Sequence, residues 1–99
     1  MDAVAVVWSR RAQRDRDRIF SYVAAQATPA RAYAVIHAIA EHAAWLGANP
    51  DGGVEIGPQQ RELVVPHLPY VIEYQRRPDR VRILYIWHQA QDRHARRRR

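Results

Sequence analysis

The side chains able to carry chemistry in this 99-residue sequence are five histidines, sixteen arginines and ten carboxylates, with neither lysine nor cysteine present. The missing thiol excludes disulfides, cysteine-ligated zinc and thiolate catalysis, and agrees with a reducing compartment. The missing lysine removes every lysine-based mechanism. His88 closes an apolar segment, where an imidazole can act as a general base, meet a target, or hydrogen-bond locally and fix a strand end. His37 and His42 share a helical segment and show no metal-ligand spacing to a carboxylate on the same face, while His67 sits in a proline-flanked turn and reads as solvated. No metal site and no cofactor are expected.

The arginines divide into two populations. Arg93, Arg96, Arg97, Arg98 and Arg99 crowd the last seven residues, where they suit either phosphate contact or a solvated tail. The formal charge is +6, yet residues 1–92 hold eleven arginines against ten acids and carry only +1. The folded part is therefore nearly neutral, and a nucleic-acid role falls on the tail. Arg10, Arg11, Arg14, Arg16 and Arg18 interleave with Asp15 and Asp17, the pattern of a salt-bridged helix face.

One compact domain must position these groups, since the length leaves room for a single core. The sequence predicts residues 1–92 as that domain and 93–99 as a basic tail. The apolar run Ala3 to Trp8 is shorter than a signal-peptide core and has its arginines after it, which predicts a first strand, not export or a membrane span. Ser9 is a helix cap, and Ala12, Arg16, Ile19, Val23 and Ala27 recur at helical spacing. Thr28-Pro29 starts a second helix with the stripe Val35, Ile36, Ile39, Ala43 and Leu46, ended by Gly47 to Pro50.

Beyond that loop the period becomes extended. Arg61 to Val65, Tyr70 to Gln75 and Arg80 to His88 read as three strands joined by turns, an antiparallel meander. Strand alternation places Tyr70, Ile72 and Tyr74 on one face; on the last strand it separates Arg80, Arg82, Leu84, Ile86 and His88 from Val81, Ile83, Tyr85 and Trp87. The expected fold is α+β in the order β-α-α-β-β-β, a helix hairpin packed on a mainly antiparallel sheet.

Several motifs then fall in one order: Val7-Trp8-Ser9 with Ala12, Ile19-x-x-Tyr22-Val23, Leu46-x-x-x-Pro50, Arg61-Glu62-Leu63, Pro69-Tyr70-Val71-Ile72-x-Tyr74, and Val81-x-Ile83-Leu84-x-Ile86-x-His88. Together, over residues 4 to 92, they resemble the RelE/ParE superfamily of bacterial type II toxins. The resemblance implies a cytoplasmic toxin, in a plasmid-stabilisation type of system, held in a hetero-oligomer by a protein antitoxin. Its ParE-like branch poisons DNA gyrase, through the A subunit; its RelE-like branch cleaves mRNA on the ribosome.

RNA cleavage needs a base for the 2′-hydroxyl proton, cations for the phosphate charge and an acid for the leaving oxygen. RelE-like nucleases draw these from lysines, a strand arginine and a late arginine and tyrosine. Here there is no lysine, Val71 or its neighbour stands at the strand-arginine position, and no tyrosine follows His88. The resemblance therefore favours the ParE-like branch, with no catalytic residue. Its alternative is a histidine-centred nuclease using His88 with Arg61 or Arg82. Tyr70, Tyr74, Trp87 and His88 are the candidate contacts for target or antitoxin under the first reading.

Overall fold

The computed structural model describes residues 3–90, so the arginine tail and its proposed phosphate contacts lie outside the described residues. Strand β1 (Ala5–Trp8) ends at Ser9, whose hydroxyl oxygen accepts the Ala12 N–H at 2.9 Å and starts helix α1 (Arg10–Gln26). Thr28 does the same for the Arg31 N–H at 3.0 Å, and Pro29 opens helix α2 (Pro29–Ala48). Proline suits this first turn because its missing N–H would have no helical partner there. The two helices form the expected hairpin.

Helix α2 ends at Ala48, within the expected Gly47 to Pro50 stretch, with Asn49 as its cap, and includes Gly47 itself. The Gly47 carbonyl accepts the Val4 N–H at 2.8 Å, and a Cβ on Gly47 would lie 2.9 Å from the Val4 carbonyl oxygen. The glycine permits close approach of the N-terminal strand to the helix, not helix termination.

After the helices come β2 (Val54–Gly57), β3 (Gln60–Val64), β4 (Tyr70–Arg76) and β5 (Arg80–His88). Strand β2 was not expected, because its Val-Glu-Ile-Gly segment is short and follows the breaker-rich loop from Asn49 to Gly53. It pairs antiparallel with β3 through a tight turn in which Gln59 adopts φ 59°. The sheet order is β1-β5-β4-β3-β2, with β1 parallel to β5 and every other pair antiparallel. The result is an α+β fold of two helices on a five-stranded mixed sheet.

Both helices cover one face. Ala12 and Ile19 of α1 and Val35, Ile39, Ala43 and Leu46 of α2 pack on Tyr70, Ile72 and Tyr74 of β4. Arg16, placed on the inner stripe by spacing, instead lies half-buried with its guanidinium 5.0 Å from the Trp8 ring centre. Ala27 is exposed, and the inner position between Ala12 and Ile19 belongs to Asp15.

The alternation expected along β5 is broken by a β-bulge. Glu73 pairs with Tyr85 but Tyr74 pairs with Ile83, leaving Leu84 as the extra residue. A one-residue insertion exchanges the faces of everything beyond it. Val81 and Ile83 face the helices before the bulge, and Ile86 does so after it; Tyr85 and Trp87 join Val71 on the other face. Ser9 anchors the distortion: its N–H donates to the Ile83 carbonyl at 2.9 Å and its hydroxyl donates to the Leu84 carbonyl at 2.6 Å. One side chain thus caps α1 and closes the bulge. Ser9→Ala removes both interactions and is expected to cost about 2 kcal/mol, read as a lower midpoint in urea with an unchanged slope.

Candidate functional site: a mixed pocket beside the last strand

Beyond the bulge β5 loses its parallel partner, because the pairing with β1 ends at Trp8 and Ile83. Helix α1 takes over the exposed backbone. Asp15, on the turn after Ala12, is 7% exposed and its Oδ2 accepts the Ile86 N–H at 3.0 Å. Its Oδ1 meets Arg18 Nη2 at 3.3 Å, and Arg11 Nε lies 3.9 Å from Oδ2. The Arg11 guanidinium also sits 4.3 Å from the Tyr85 ring centre, within cation–π range. A buried carboxylate is therefore compensated by two cations and a peptide N–H.

This arrangement borders a cavity of about 250 Å³ between α1 and the ends of β4 and β5. Ile19 and Ile86 supply its apolar surface, Arg11, Asp15 and Arg18 one charged side, and Tyr22, Tyr70 and His88 the aromatic side. Tyr70 and His88 are strand partners, with their rings edge to face at 5.3 Å. His88 Nδ1 accepts the Ala90 N–H at 3.1 Å, the local bond that fixes a strand end. Burial first, and then the neighbouring Tyr22, hold the Tyr70 hydroxyl above its ordinary pKa of 10.0.

The other sequence candidates lie elsewhere. Tyr74, expected as a contact residue, is fully buried; its hydroxyl donates to the Pro50 carbonyl at 2.9 Å and accepts the Gly53 N–H at 2.8 Å. It tethers the loop before β2 and presents no surface. Trp87 is 8% exposed and faces the opposite side of the sheet from His88's strand partner Tyr70. Arg61 is bound into the same loop, donating to the Gly53 carbonyl at 2.8 Å and pairing with Asp51 at 3.7 Å. Arg82 is exposed and pairs with Gln75, whereas Arg61 pairs with Tyr74, so the two arginines point to opposite faces. His88 lies six residues along β5 from Arg82, about 20 Å. Neither arginine stands beside His88: Arg82 is on the other face, and Arg61, next to Tyr74, shares the face of His88 but lies at the far end of β4 from the Tyr70–His88 pair.

Burial also raises the Tyr74 hydroxyl above 10.0, against the lowering effect of the Gly53 N–H. A raised folded-state value adds stability that is complete below the unfolded-chain value and is lost as pH rises through the folded one. The thermal midpoint should therefore fall above about pH 10. In Tyr74→Phe that alkaline fall should be shallower, on a baseline about 1–3 kcal/mol less stable because two loop groups lose their partner. Thermal scans between neutral and strongly alkaline pH check both.

Sequence reasoning missed several groups. Asp15 carried a readable signal, since Ala12, Asp15 and Ile19 are spaced three and four apart on one helix face. Tyr22, Tyr33 and Trp45 are the large aromatics left open, 50%, 66% and 46% exposed, all on the helix hairpin. His37 and Glu41 do share a face, with Nε2 and Oε1 at 2.9 Å, because a spacing of four aligns them. Among the described residues no three histidines or acids gather as a metal site. Among them, too, no helix is long and apolar enough to cross a membrane.

A family model described as "ParE toxin of type II toxin-antitoxin system, parDE" matches residues 6–93. A solved structure described as "Chromosomal ParDE TA system from P. aeruginosa" contains a similar chain, with TM-score 0.78 and 24% sequence identity. The match covers 87% of this chain and 96% of that one. At that identity the likeness carries the fold. No curated protein matches.

Proposed function

The chain belongs to the ParE toxin family of type II toxin–antitoxin systems, and from that premise we propose that it arrests growth by inhibiting DNA gyrase, through the A subunit, until a cognate protein antitoxin occludes it. The observation that carries this reading is the family match across residues 6–93, from within β1 through the end of β5. Two features of the molecule support it. A histidine-centred nuclease would pair His88 with Arg61 or Arg82, yet Arg82 stands on the other face and Arg61 at the far end of β4, donating to the Gly53 carbonyl. And the open aromatics Tyr22, Tyr33 and Trp45 have the chemistry of protein-interface anchors.

The antitoxin surface in this proposal is the helix hairpin. Tyr33, Ala34, Ile36 and Ala40 line an apolar depression on α2, and Trp45 with Leu63 and Pro66 lines another beside the sheet. The tail arginines add phosphate contacts at a gyrase–DNA complex, an electrostatic contribution that weakens with salt. Inducible expression of the chain alone tests the proposal: growth arrest with a DNA-damage response preceding any loss of translation is expected. Translation arrest as the first event contradicts it.

A further inference from the structure

We propose that the pocket between α1 and the ends of β4 and β5 receives an acidic peptide segment of the protein partner, seating an apolar side chain on Ile19 and Ile86 and a carboxylate on Arg11 and Arg18. The inference rests on the antitoxin reading and gives that partner a local chemistry.

The two arginines are organised before any ligand arrives. Asp15 holds both guanidiniums, at 3.9 and 3.3 Å, and the Tyr85 ring holds Arg11 from a second side. Asp15 itself is occupied by the Ile86 N–H, while the Arg11 and Arg18 side chains remain 63% and 75% exposed. Each guanidinium has five N–H donors and Asp15 engages only a part of them, so the outward donors are available to an incoming carboxylate. Two cations against one carboxylate leave the rim positive. A fixed fork loses less side-chain entropy on binding than a free one.

The remaining lining selects the kind of anion. A stacking platform for a nucleobase needs open ring faces. Tyr70 is 5% exposed and the half-buried His88 meets it edge to face, which leaves Tyr22 as the most open ring in the pocket. The apolar surface is aliphatic, from Ile19 and Ile86. At about 250 Å³ the cavity is also smaller than the usual few hundred to a thousand Å³ of a small-molecule site. An aliphatic or aromatic side chain flanked by carboxylates fits these features better than a nucleotide. The Arg and Tyr content is that of a protein–protein hot spot.

The probe is a blocked peptide, Asp-Glu-Leu-Phe-Asp, titrated into the full-length isotope-labelled chain and followed by NMR, with dAMP as a parallel arm. The expected result is peptide-dependent shifts at the Arg11 and Arg18 Nε–H groups and the Ile19 and Ile86 methyls. Arg18→Gln should weaken binding tenfold or more while the thermal midpoint falls by only a few degrees, since Arg11 and the Ile86 N–H still compensate Asp15, and Arg18→Lys should restore part of the binding. Absence of peptide binding, shifts by dAMP in preference to the peptide, or equal peptide affinity in Arg18→Gln each overturn the proposal. The antitoxin arm separates the two readings. If the Arg18→Gln/Tyr22→Ala variant binds the antitoxin as tightly as the parent chain, the pocket assignment fails and the antitoxin reading stands. If the parent chain binds no antitoxin, the broader reading fails.

Discussion

Asp15→Ala should lower the unfolding free energy by about 3 kcal/mol, equivalent to a fall of roughly 15 °C in the thermal midpoint of a domain this size. The size follows from what the carboxylate does. It is buried, it accepts the Ile86 N–H across 71 positions of sequence, and it neutralises Arg11 and Arg18. Alanine leaves that N–H buried without a partner on the stretch of β5 beyond the last β1 pairing. Breaking a charged, buried hydrogen bond by removing one side is far more harmful than its net contribution suggests. Asp15→Asn keeps an acceptor oxygen for Ile86 but loses the charge, and should cost about half as much. Thermal unfolding of the two variants checks the order. Equal midpoints for alanine, asparagine and the parent chain would show that β5 does not depend on this contact.

Tyr33→Ala should have the opposite profile, a small effect on folding and a large one on association. The ring is 66% exposed and its ring contact is with Phe20, edge to face at 4.8 Å, so its removal should shift stability by less than about 1 kcal/mol. It also borders the apolar depression on α2 assigned above to the antitoxin. Truncating an aromatic anchor at the centre of an interface commonly costs 2 kcal/mol or more, about thirtyfold in affinity. Calorimetric titration of antitoxin into parent and variant chains measures the ratio. An unchanged affinity moves the interface away from this face.

The two variants also show what could be read from the sequence. The element order apart from β2, both helix caps and the strands from β3 onward were legible, because Ser9, Thr28-Pro29 and the turn residues act locally. The face assignment of β4 was legible too, from strict alternation along Tyr70, Ile72 and Tyr74. What failed depended on contacts distant in sequence. The bulge at Leu84 is set by Ser9, 75 positions away, and nothing within β5 announces it. Once Leu84 is counted out, Tyr85 and Trp87 exchange faces with Ile86 and His88.

The site was only partly legible for the same reason. Tyr70 and His88 were named from the strand ends and do meet, yet their companions Arg11, Asp15, Arg18 and Tyr22 come from α1. Reading the α1 arginines as a salt-bridged face captured their pairing with Asp15 but not that this acid is buried and faces the sheet. Tyr74 and Arg61 looked available because residue type alone does not reveal the loop from Pro50 to Gly53 that uses both. Conversely, the exposed Tyr33 and Trp45 were passed over within an alanine-rich helix whose spacing signalled only packing.

Gyrase inhibition is read most directly in a supercoiling assay in which the purified full-length chain is titrated into DNA gyrase, with ribosome-bound mRNA cleavage measured on the same preparation. Loss of supercoiling with accumulation of cleaved DNA, relieved by stoichiometric antitoxin, is expected, with mRNA left intact. Unaffected gyrase together with cut mRNA would contradict the gyrase reading.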